Sequence, residues 1–212
     1  MRRVAVILGL FALLLPAAAW ANGIDLTNLD GTVTITAAGG VVSQGSELKS
    51  WGGHWSSGTG SLGSVSFSTG SLATGSIFGG GTFNGGGTFI VTGVGKWAKK
   101  ITGTTGNVNK VTLFSGSFVG PVDWTVVSQV GKYNYVFTLS GTIQGQYWDG
   151  RTVSGTTTQT IYVYKNQWAQ DEKGGIRLGN SNIAVPEPGT LGLLGTGLIF
   201  IAGSLRRKLL GV

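Results

Sequence analysis

The chain has 212 residues, including 39 glycines and no cysteine, and only 11% of its residues are charged. The lack of cysteine excludes disulfide bonds, thiol catalysis and cysteine-ligated metal centres. The formal net charge is +7, but residues 22–184 carry ten basic and seven acidic side chains, a net charge of +3. A basic face for nucleic acid is therefore not indicated.

Residues 1–21 have the features of a secretory signal peptide. Two arginines precede an apolar run over residues 4–15, and small residues follow it. Ala19 and Ala21 match the A-x-A cleavage pattern, which predicts a mature chain beginning at Asn22. The apolar run is too short to serve as a permanent membrane anchor. We therefore expect the protein to be exported.

Residues 22–179 are expected to form one β-rich exported domain with a sizeable core. Between residues 24 and 184, no segment keeps a 3.6-residue apolar period for three turns, whereas period-two alternation recurs. The abundance of Gly, Ser and Thr is typical of strands joined by tight turns. We predict an all-β fold, an antiparallel sandwich or meander.

The predicted strands begin with a hairpin over Ile24 to Ala37, centred on Asp30-Gly31. Residues 61–93 repeat Ser or Thr followed by Leu, Phe or Ile, every five and then every six residues. This repeat indicates either a β-solenoid or short strands with glycine turns, and the second is favoured because the segment makes too few coils. Strands of an antiparallel meander are predicted over residues 108–119, 122–130, 133–143 and 152–165, with turns at 131–132 and 149–150.

Residues suited to catalysis are scarce. His54 is the only histidine, and Glu47 and Asp123 are the one imaginable glycosidase pair. The segment 25–30 offers carboxylate and amide oxygens but lacks the spacing of an EF-hand calcium loop. We therefore predict no catalytic residue, no metal and no cofactor. An exported carbohydrate-active enzyme with a β-sandwich fold is kept as the alternative function.

Exposed aromatic rings are the more plausible means of binding a ligand, because flat rings stack on sugar faces. Trp51, Trp55 and Trp148 lie beside glycines or a turn and are the candidate carbohydrate contacts, whereas Trp124 is expected in the core. The only local cluster of basic side chains is at residues 96–100, and it is interpreted as a solvated loop or strand edge.

The C-terminal region is divided into three predicted parts. Residues 180–188 form a linker that contains Val185-Pro186-Glu187-Pro188, residues 189–205 form an uncharged transmembrane helix, and residues 206–212 form a basic cytoplasmic tail. Seventeen helical residues span about 26 Å, enough for a thin bilayer. Arg206, Arg207 and Lys208 would stop translocation at the cytoplasmic face.

The Pro-Glu-Pro sequence, the short apolar helix and the basic cluster, in this order, resemble the PEP-CTERM sorting tail. The resemblance implies a substrate of exosortase, a membrane-embedded cysteine protease that recognises Pro186, Glu187 and Pro188. It also implies a transient stay in the inner membrane and an association with exopolysaccharide or biofilm matrix. The expected function is that of a non-enzymatic surface or extracellular-matrix protein, with extracellular polysaccharide as its candidate partner and no nucleic acid. An outer-membrane β-barrel is a third alternative, but it leaves the apolar tail unexplained.

Overall fold

The computed structural model describes residues 23–36, 38–106, 109–130, 134–164 and 174–184. Residues Gly23–Val185 form one compact unit. The strands of this unit are β1 (Ile24–Ile35), β2 (Val41–Trp51), β3 (His54–Trp55), β4 (Gly63–Ser68), β5 (Leu72–Ser76), β6 (Gly80–Phe83), β7 (Gly86–Val94), β8 (Lys110–Phe118), β9 (Val122–Val130), β10 (Asn134–Tyr147), β11 (Thr152–Tyr164) and β12 (Gly174–Ala184). One short helix, α1 (Gly95–Thr102), lies between β7 and β8.

The strands pair in the order β11-β12-β1-β2-β4-β7-β8-β10, and β10 pairs with β11, so that the sheet closes on itself. Every pairing is antiparallel. The predicted all-β antiparallel fold is thus confirmed, and its specific form is a closed barrel with added strands. Closure leaves few free strand edges, which limits unwanted pairing with other chains.

The apolar side chains of alternate residues fill the barrel, as the period-two pattern predicted. Phe67, Phe89, Phe114 and Phe118 form a cluster of rings with centroids about 6 Å apart, mostly edge to face. Alternate apolar residues of β9, β10 and β11 are buried in this way: they are Val122, Trp124, Tyr135, Phe137, Leu139, Val153, Ile161 and Val163.

Three segments of the chain, each made of two strands that follow one another in sequence, bend along one line that crosses the sheet. Strand structure is interrupted between β4 and β5, between β6 and β7, and between β8 and β9. β8 and β9 pair with successive parts of β10. Beyond the line, β9, β6 and β5 extend the sheet past the barrel. A Cβ on Gly85, which lies on the line, would come within 2.6 Å of the Gly120 carbonyl oxygen. Strands can approach this closely only because the residue is glycine.

The repeat over residues 61–93 is confirmed as short strands joined by glycine turns. The four strands β4 to β7 occupy it, and its apolar residues point inward: Leu62, Phe67, Phe83 and Phe89 are buried, and Leu72 and Ile77 pack against the core. Trp124 on β9 stacks on Phe137 at 4.3 Å between ring centroids and donates a 2.7 Å hydrogen bond to the carbonyl of Ile77. These aromatic contacts join the extension to the hydrophobic core of the barrel.

A buried polar cluster lies inside the barrel where β12 separates β1 from β11. Gly179 pairs with Asn28 on one side and with Gln159 on the other. Because Gly179 has no side chain, the two amides meet across it: Asn28 Nδ2 donates to Gln159 Oε1 at 3.0 Å and to Ser46 Oγ at 2.7 Å. Gln159 Nε2 donates to Thr157 Oγ1 at 2.8 Å. Hydrogen bonding of this kind offsets the cost of burying amides.

Four features differ from the sequence-based predictions. Asp30-Gly31 is not a hairpin turn but an irregularity within the single strand β1, with φ of 59° and 82°. A Cβ on Gly31 would come 2.5 Å from the Ser46 nitrogen. Two residues with positive φ suit a β-bulge as well as a tight turn. Here the pairing of β1 with both β2 and β12 over its length decides between them.

The other differences concern α1, the meander and the linker. α1 is an unpredicted helix of eight residues, too short for the three-turn periodicity by which helices were sought. β9, β10 and β11 form the predicted meander, but β8 pairs with β7 and β10 instead of β9. Residues 180–184 lie in β12 and not in the predicted linker, because 180–183 pair with both β1 and β11 and Ala184 pairs with β11.

Candidate functional site

A solvent-open groove of about 570 Å³ lies between α1, β8 and β10. Its lining residues are Thr102, Thr104, Val111, Thr112, Ser115, Gly145, Gln146, Tyr147 and Trp148. None of these nine side chains is charged at neutral pH. The groove therefore offers hydroxyl groups, one amide and the half-buried ring of Trp148, with the buried ring of Tyr147 beside it.

The local fold places these polar groups in the groove. Ser115 on β8 and Gln146 on β10 are cross-strand partners, so their side chains lie side by side. Thr102 in the last turn of α1 donates its hydroxyl to the Ala98 carbonyl at 2.8 Å and lies within 2.8 Å of the Thr104 hydroxyl. In the described part of the chain, the side chains of Thr112, Ser115 and Gln146 have no protein hydrogen-bond partner. They are free to bind ligand hydroxyls.

The three tryptophans that were predicted as carbohydrate contacts occupy different environments. Trp51 is only 2% exposed and packs against Tyr147, so its ring has no face for a sugar. Trp148 is half-buried, lies in the wall of the groove, and is held there by Trp51 at 6.4 Å between ring centroids. Trp55 is 71% exposed on the short strand β3, outside the groove. The structure thus brings one of the three to a cleft.

Tyr147, the last residue of β10, packs against Trp148, and Arg151 pairs with Asp149 in the turn that follows. The Tyr147 hydroxyl donates a 2.8 Å hydrogen bond to the Ile183 carbonyl, and burial raises the pKa of this phenol well above its usual range. Desolvation acts to raise the pKa of Asp149, but hydrogen bonds from the backbone N–H and guanidinium of Arg151 outweigh it and lower that pKa. The turn is therefore fixed by an ion pair at neutral pH.

The residues considered for catalysis are not brought together. Glu47 on β2 forms an ion pair with Lys49, whereas Asp123 lies on β9, which pairs with β10 and β6. Neither lines the groove, and His54 lies against Trp97 at 5.9 Å between ring centroids. Glycosidase carboxylates must face each other across a substrate. In segment 25–30, Asp25 accepts a hydrogen bond from Asn182, while Asn28 points into the barrel.

Sequence reasoning missed the polar lining of the groove. Thr102, Thr104, Thr112, Ser115 and Gln146 lie on three separate elements, and Thr and Ser are so frequent in this chain that no local pattern marks them. The alternation of β8 and β10 predicts which side chains point outward, but not that α1 stands beside them. Only the return of the chain through α1 turns an outer face into a groove.

Comparison with known protein families adds the function of the C-terminus. An all-β exported barrel is a general class; the family model of the PEP-CTERM protein-sorting motif matches residues 184–208 and specifies the sorting route. The chain carries this motif, as the resemblance of its tail predicted. A search of curated proteins and a search of solved structures each found no match to the chain.

The motif implies an exported protein that is anchored in the membrane as a precursor and processed by exosortase. Within the described residues, no helix is both long and apolar enough to cross a membrane. The remaining predicted sorting residues lie outside the described ranges; they are the cleavage residues Ala19, Ala21 and Asn22, the motif Val185, Pro186, Glu187 and Pro188, and the stop residues Arg206, Arg207 and Lys208.

Proposed function

We propose that this chain is a non-enzymatic surface or extracellular-matrix protein whose barrel binds a neutral polysaccharide in the groove beside Trp148. The observation that carries the proposal is the composition of this groove, in which uncharged hydrogen-bonding side chains lie beside the half-buried indole of Trp148. Sugars present hydroxyl groups around the edge of each ring and apolar C–H groups on its faces. A hydroxyl-rich groove with one indole is complementary to both.

The volume and openness of the groove suit a polymer. Its volume of about 570 Å³ lies within the range of ligand sites, roughly 300–1,000 Å³. The groove is open to solvent along the barrel wall, so a chain longer than the site can enter and leave without its ends being enclosed. The lining residues themselves offer no ion-pair partner to uronic acids or phosphorylated sugars, so a neutral sugar is the proposed ligand.

Binding without hydrolysis is the simpler activity for this groove. General acid and base catalysis of glycoside cleavage needs two carboxyl groups that flank the scissile bond. Glu47 forms an ion pair with Lys49, and Asp123 lies on another strand, away from the groove lining. The groove therefore gives no support to the enzyme alternative.

Export and processing give the proposed binding its location. In this scheme the precursor is held transiently in the inner membrane by residues 189–205, exosortase recognises Pro186, Glu187 and Pro188, and cleavage frees the barrel. The released barrel then meets extracellular polysaccharide, including the matrix of a biofilm. Its contact with exosortase ends at that step, and its covalent tether to the inner membrane is removed.

The test is binding of the processed protein to the neutral polysaccharide fraction of its producer, measured by affinity electrophoresis. Trp148→Ala is expected to weaken binding about tenfold, because an aromatic anchor at a binding site typically contributes more than 1 kcal/mol. Trp55→Ala is the matched control, since that ring is exposed but outside the groove. Equal affinity of Trp148→Ala and the unchanged protein would refute the site.

A second measurement separates binding from hydrolysis. The unchanged protein is expected to release no reducing ends from the polysaccharide that it binds. If it does release them, and if Glu47→Gln combined with Asp123→Asn stops the release, the enzyme alternative is correct and the non-enzymatic proposal fails.

A further inference from the structure

One end of the barrel is where the described chain stops before the sorting motif. β12 ends at Ala184, which pairs with Ser154 beside the turn between β10 and β11. Its neighbour Ile183 pairs with Ile24, and β1 continues from there along the end of β2. We call this part of the molecule the exit end. It consists of the β10–β11 turn, the β2–β3 hairpin, α1 and the first residues of β1, β4 and β8.

In the described part of the chain, positive charge is concentrated at the exit end. Six of the seven described Lys and Arg residues lie there: Lys49, Lys96, Lys99, Lys100, Lys110 and Arg151. Against three acidic residues at this end, Asp25, Glu47 and Asp149, they give a net charge of +3. The rest of the described barrel has one basic residue, Arg177, against Asp30 and Asp123, a net charge of −1. Within the described residues, the charges are thus separated along the barrel axis; Lys132, Lys165, Asp171, Glu172 and Lys173 lie outside the described ranges.

Most of the basic charge at this end is available to a partner. Among the described residues, ion pairs join Lys49 to Glu47 and Arg151 to Asp149. The three lysines of α1 and Lys110 take no part in them. The side chains of Lys96, Lys100 and Lys110 are exposed. An anionic surface could approach all of these ammonium groups from the same side.

An exposed indole accompanies these charges. Trp55, on the β2–β3 hairpin of the exit end, is 71% exposed, more than any other large apolar side chain in the described part of the chain. Tryptophan is the residue that most favours the boundary between lipid headgroups and acyl chains, and lysine beside it binds the headgroup phosphates. A folded core does not require either feature at this position.

We propose that, in the anchored precursor, the exit end lies on the outer surface of the inner membrane, with Trp55 in the lipid interface and the α1 lysines on anionic headgroups. The inference rests on the proposed function, because it requires residues 189–205 to be inserted. Only residues 185–188 separate β12 from that segment. Four extended residues reach about 14 Å at most, so the tether itself holds this end close to the bilayer.

This orientation has a consequence for processing. A barrel that rests on its exit end keeps residues 185–188 at the level of the headgroups, where a membrane-embedded protease acts. The anionic surface therefore serves to position the cleavage segment. Cleavage removes the tether, and the remaining attraction is electrostatic and sensitive to salt, which permits release of the barrel.

The test uses the full precursor reconstituted in vesicles, without exosortase. The chain contains no cysteine, so single cysteines can be introduced as the only labelling sites. Ser57→Cys places a fluorophore at the exit end, and Ser128→Cys on β9 is the matched control at the opposite end, since both serines are exposed. Quenching by lipids that carry a nitroxide on the headgroup reports which label lies near the membrane.

In vesicles that contain phosphatidylglycerol, quenching at position 57 is expected to exceed quenching at position 128 at least threefold. The difference should fall in pure phosphatidylcholine, in high salt, and in the Lys96→Gln/Lys99→Gln/Lys100→Gln variant. Equal quenching at the two positions, or a difference that is independent of anionic lipid and salt, would overturn the inference. Because the salt and lipid series uses unchanged lysines, the result does not depend on how the triple variant folds.

Carbonate extraction of the same vesicles distinguishes a failure of the membrane anchor from a failure of the proposed orientation. A precursor that carbonate removes has no inserted segment, and this result overturns both the anchored precursor and its orientation. A precursor that resists extraction but shows equal quenching retains its anchor and overturns the orientation alone. A difference in quenching that appears only when exosortase is added would show that the protease, and not lipid, binds the exit end, and would overturn the orientation.

Discussion

Replacing Gly179 by alanine probes the buried amide pair that joins β1 to β11 across β12. A Cβ at this position would lie 2.2 Å from Asn28 Oδ1 and 2.0 Å from Gln159 Oε1, far inside van der Waals contact. Both amides are buried, so they cannot turn outward into water. They must instead separate, and the bonds of 3.0 and 3.4 Å between them are lost.

The cost of this substitution can be worked from the partners that remain. Asn28 Nδ2 keeps its bond to Ser46, and Gln159 Nε2 keeps its bond to Thr157. The two amide oxygens are left without partners. A buried acceptor without a hydrogen bond costs about 1–3 kcal/mol, so two of them predict a loss of about 2–6 kcal/mol. That is a large part of the stability of a typical domain.

The assay is urea unfolding of the processed protein, followed by tryptophan fluorescence at constant m-value. Gly175→Ala on the same strand is the matched control, because the nearest non-neighbouring atom to its Cβ, the Gly31 carbonyl oxygen, would be 3.6 Å away. Its effect should be within about 0.5 kcal/mol. In a Gln159→Ala background, Gly179→Ala should cost less, because one of the two collisions is gone. Equal midpoints for Gly179→Ala and Gly175→Ala would refute the reasoning.

Four further outcomes are expected. Gly85→Ala should destabilise the barrel by about 1–3 kcal/mol in the same urea assay, because its Cβ would meet backbone atoms on the bend line. Stability should fall as the pH rises above 10.0, the ordinary pKa of tyrosine, since burial raises the pKa of Tyr147 in the folded state alone; Tyr147→Phe should remove that loss and cost about 0.5–1.5 kcal/mol near neutrality. Because the pKa of Asp149 is lowered in the folded state, its stabilising effect is present above the unfolded pKa and is lost as the pH falls; Arg151→Gln should flatten the acid side of a thermal-midpoint profile below the ordinary aspartate pKa of 3.8. The precursor in anionic vesicles should bind neutral polysaccharide more weakly than the processed protein in a sedimentation assay, because Trp148 lies near the end that faces the membrane.

Local sequence signals predicted β9 and the turn between β10 and β11 well. Residues 122–130 match β9 at both ends, because a Gly-Pro break precedes the strand and apolar residues alternate along it. The Asp149-Gly150 turn also lies where it was predicted, with φ of 82° at Gly150. These features depend on a few neighbouring residues, and the backbone preferences of glycine and proline determine them directly.

Features that depend on long-range pairing were not predictable in this way. Asp30-Gly31 is compatible with a turn or a bulge, and the choice depends on β12, some 150 residues further along the chain. Trp51 and Trp55 lie in the same glycine-rich sequence, yet one is in the core and the other in solvent, because Trp51 is the last residue of a barrel strand and Trp55 belongs to the hairpin beyond it. The groove needs three elements to meet, and no pattern within one of them indicates that meeting.

The measurement that tests the central claim most directly is the mass of the mature protein from its producer, with and without an active exosortase gene. We predict that the normal strain yields a chain that begins at Asn22 and lacks residues 189–212, and that the strain without exosortase keeps Val212 in a membrane-bound form. A mature exported protein that ends at Val212 in both strains would contradict the sorting route on which the account depends.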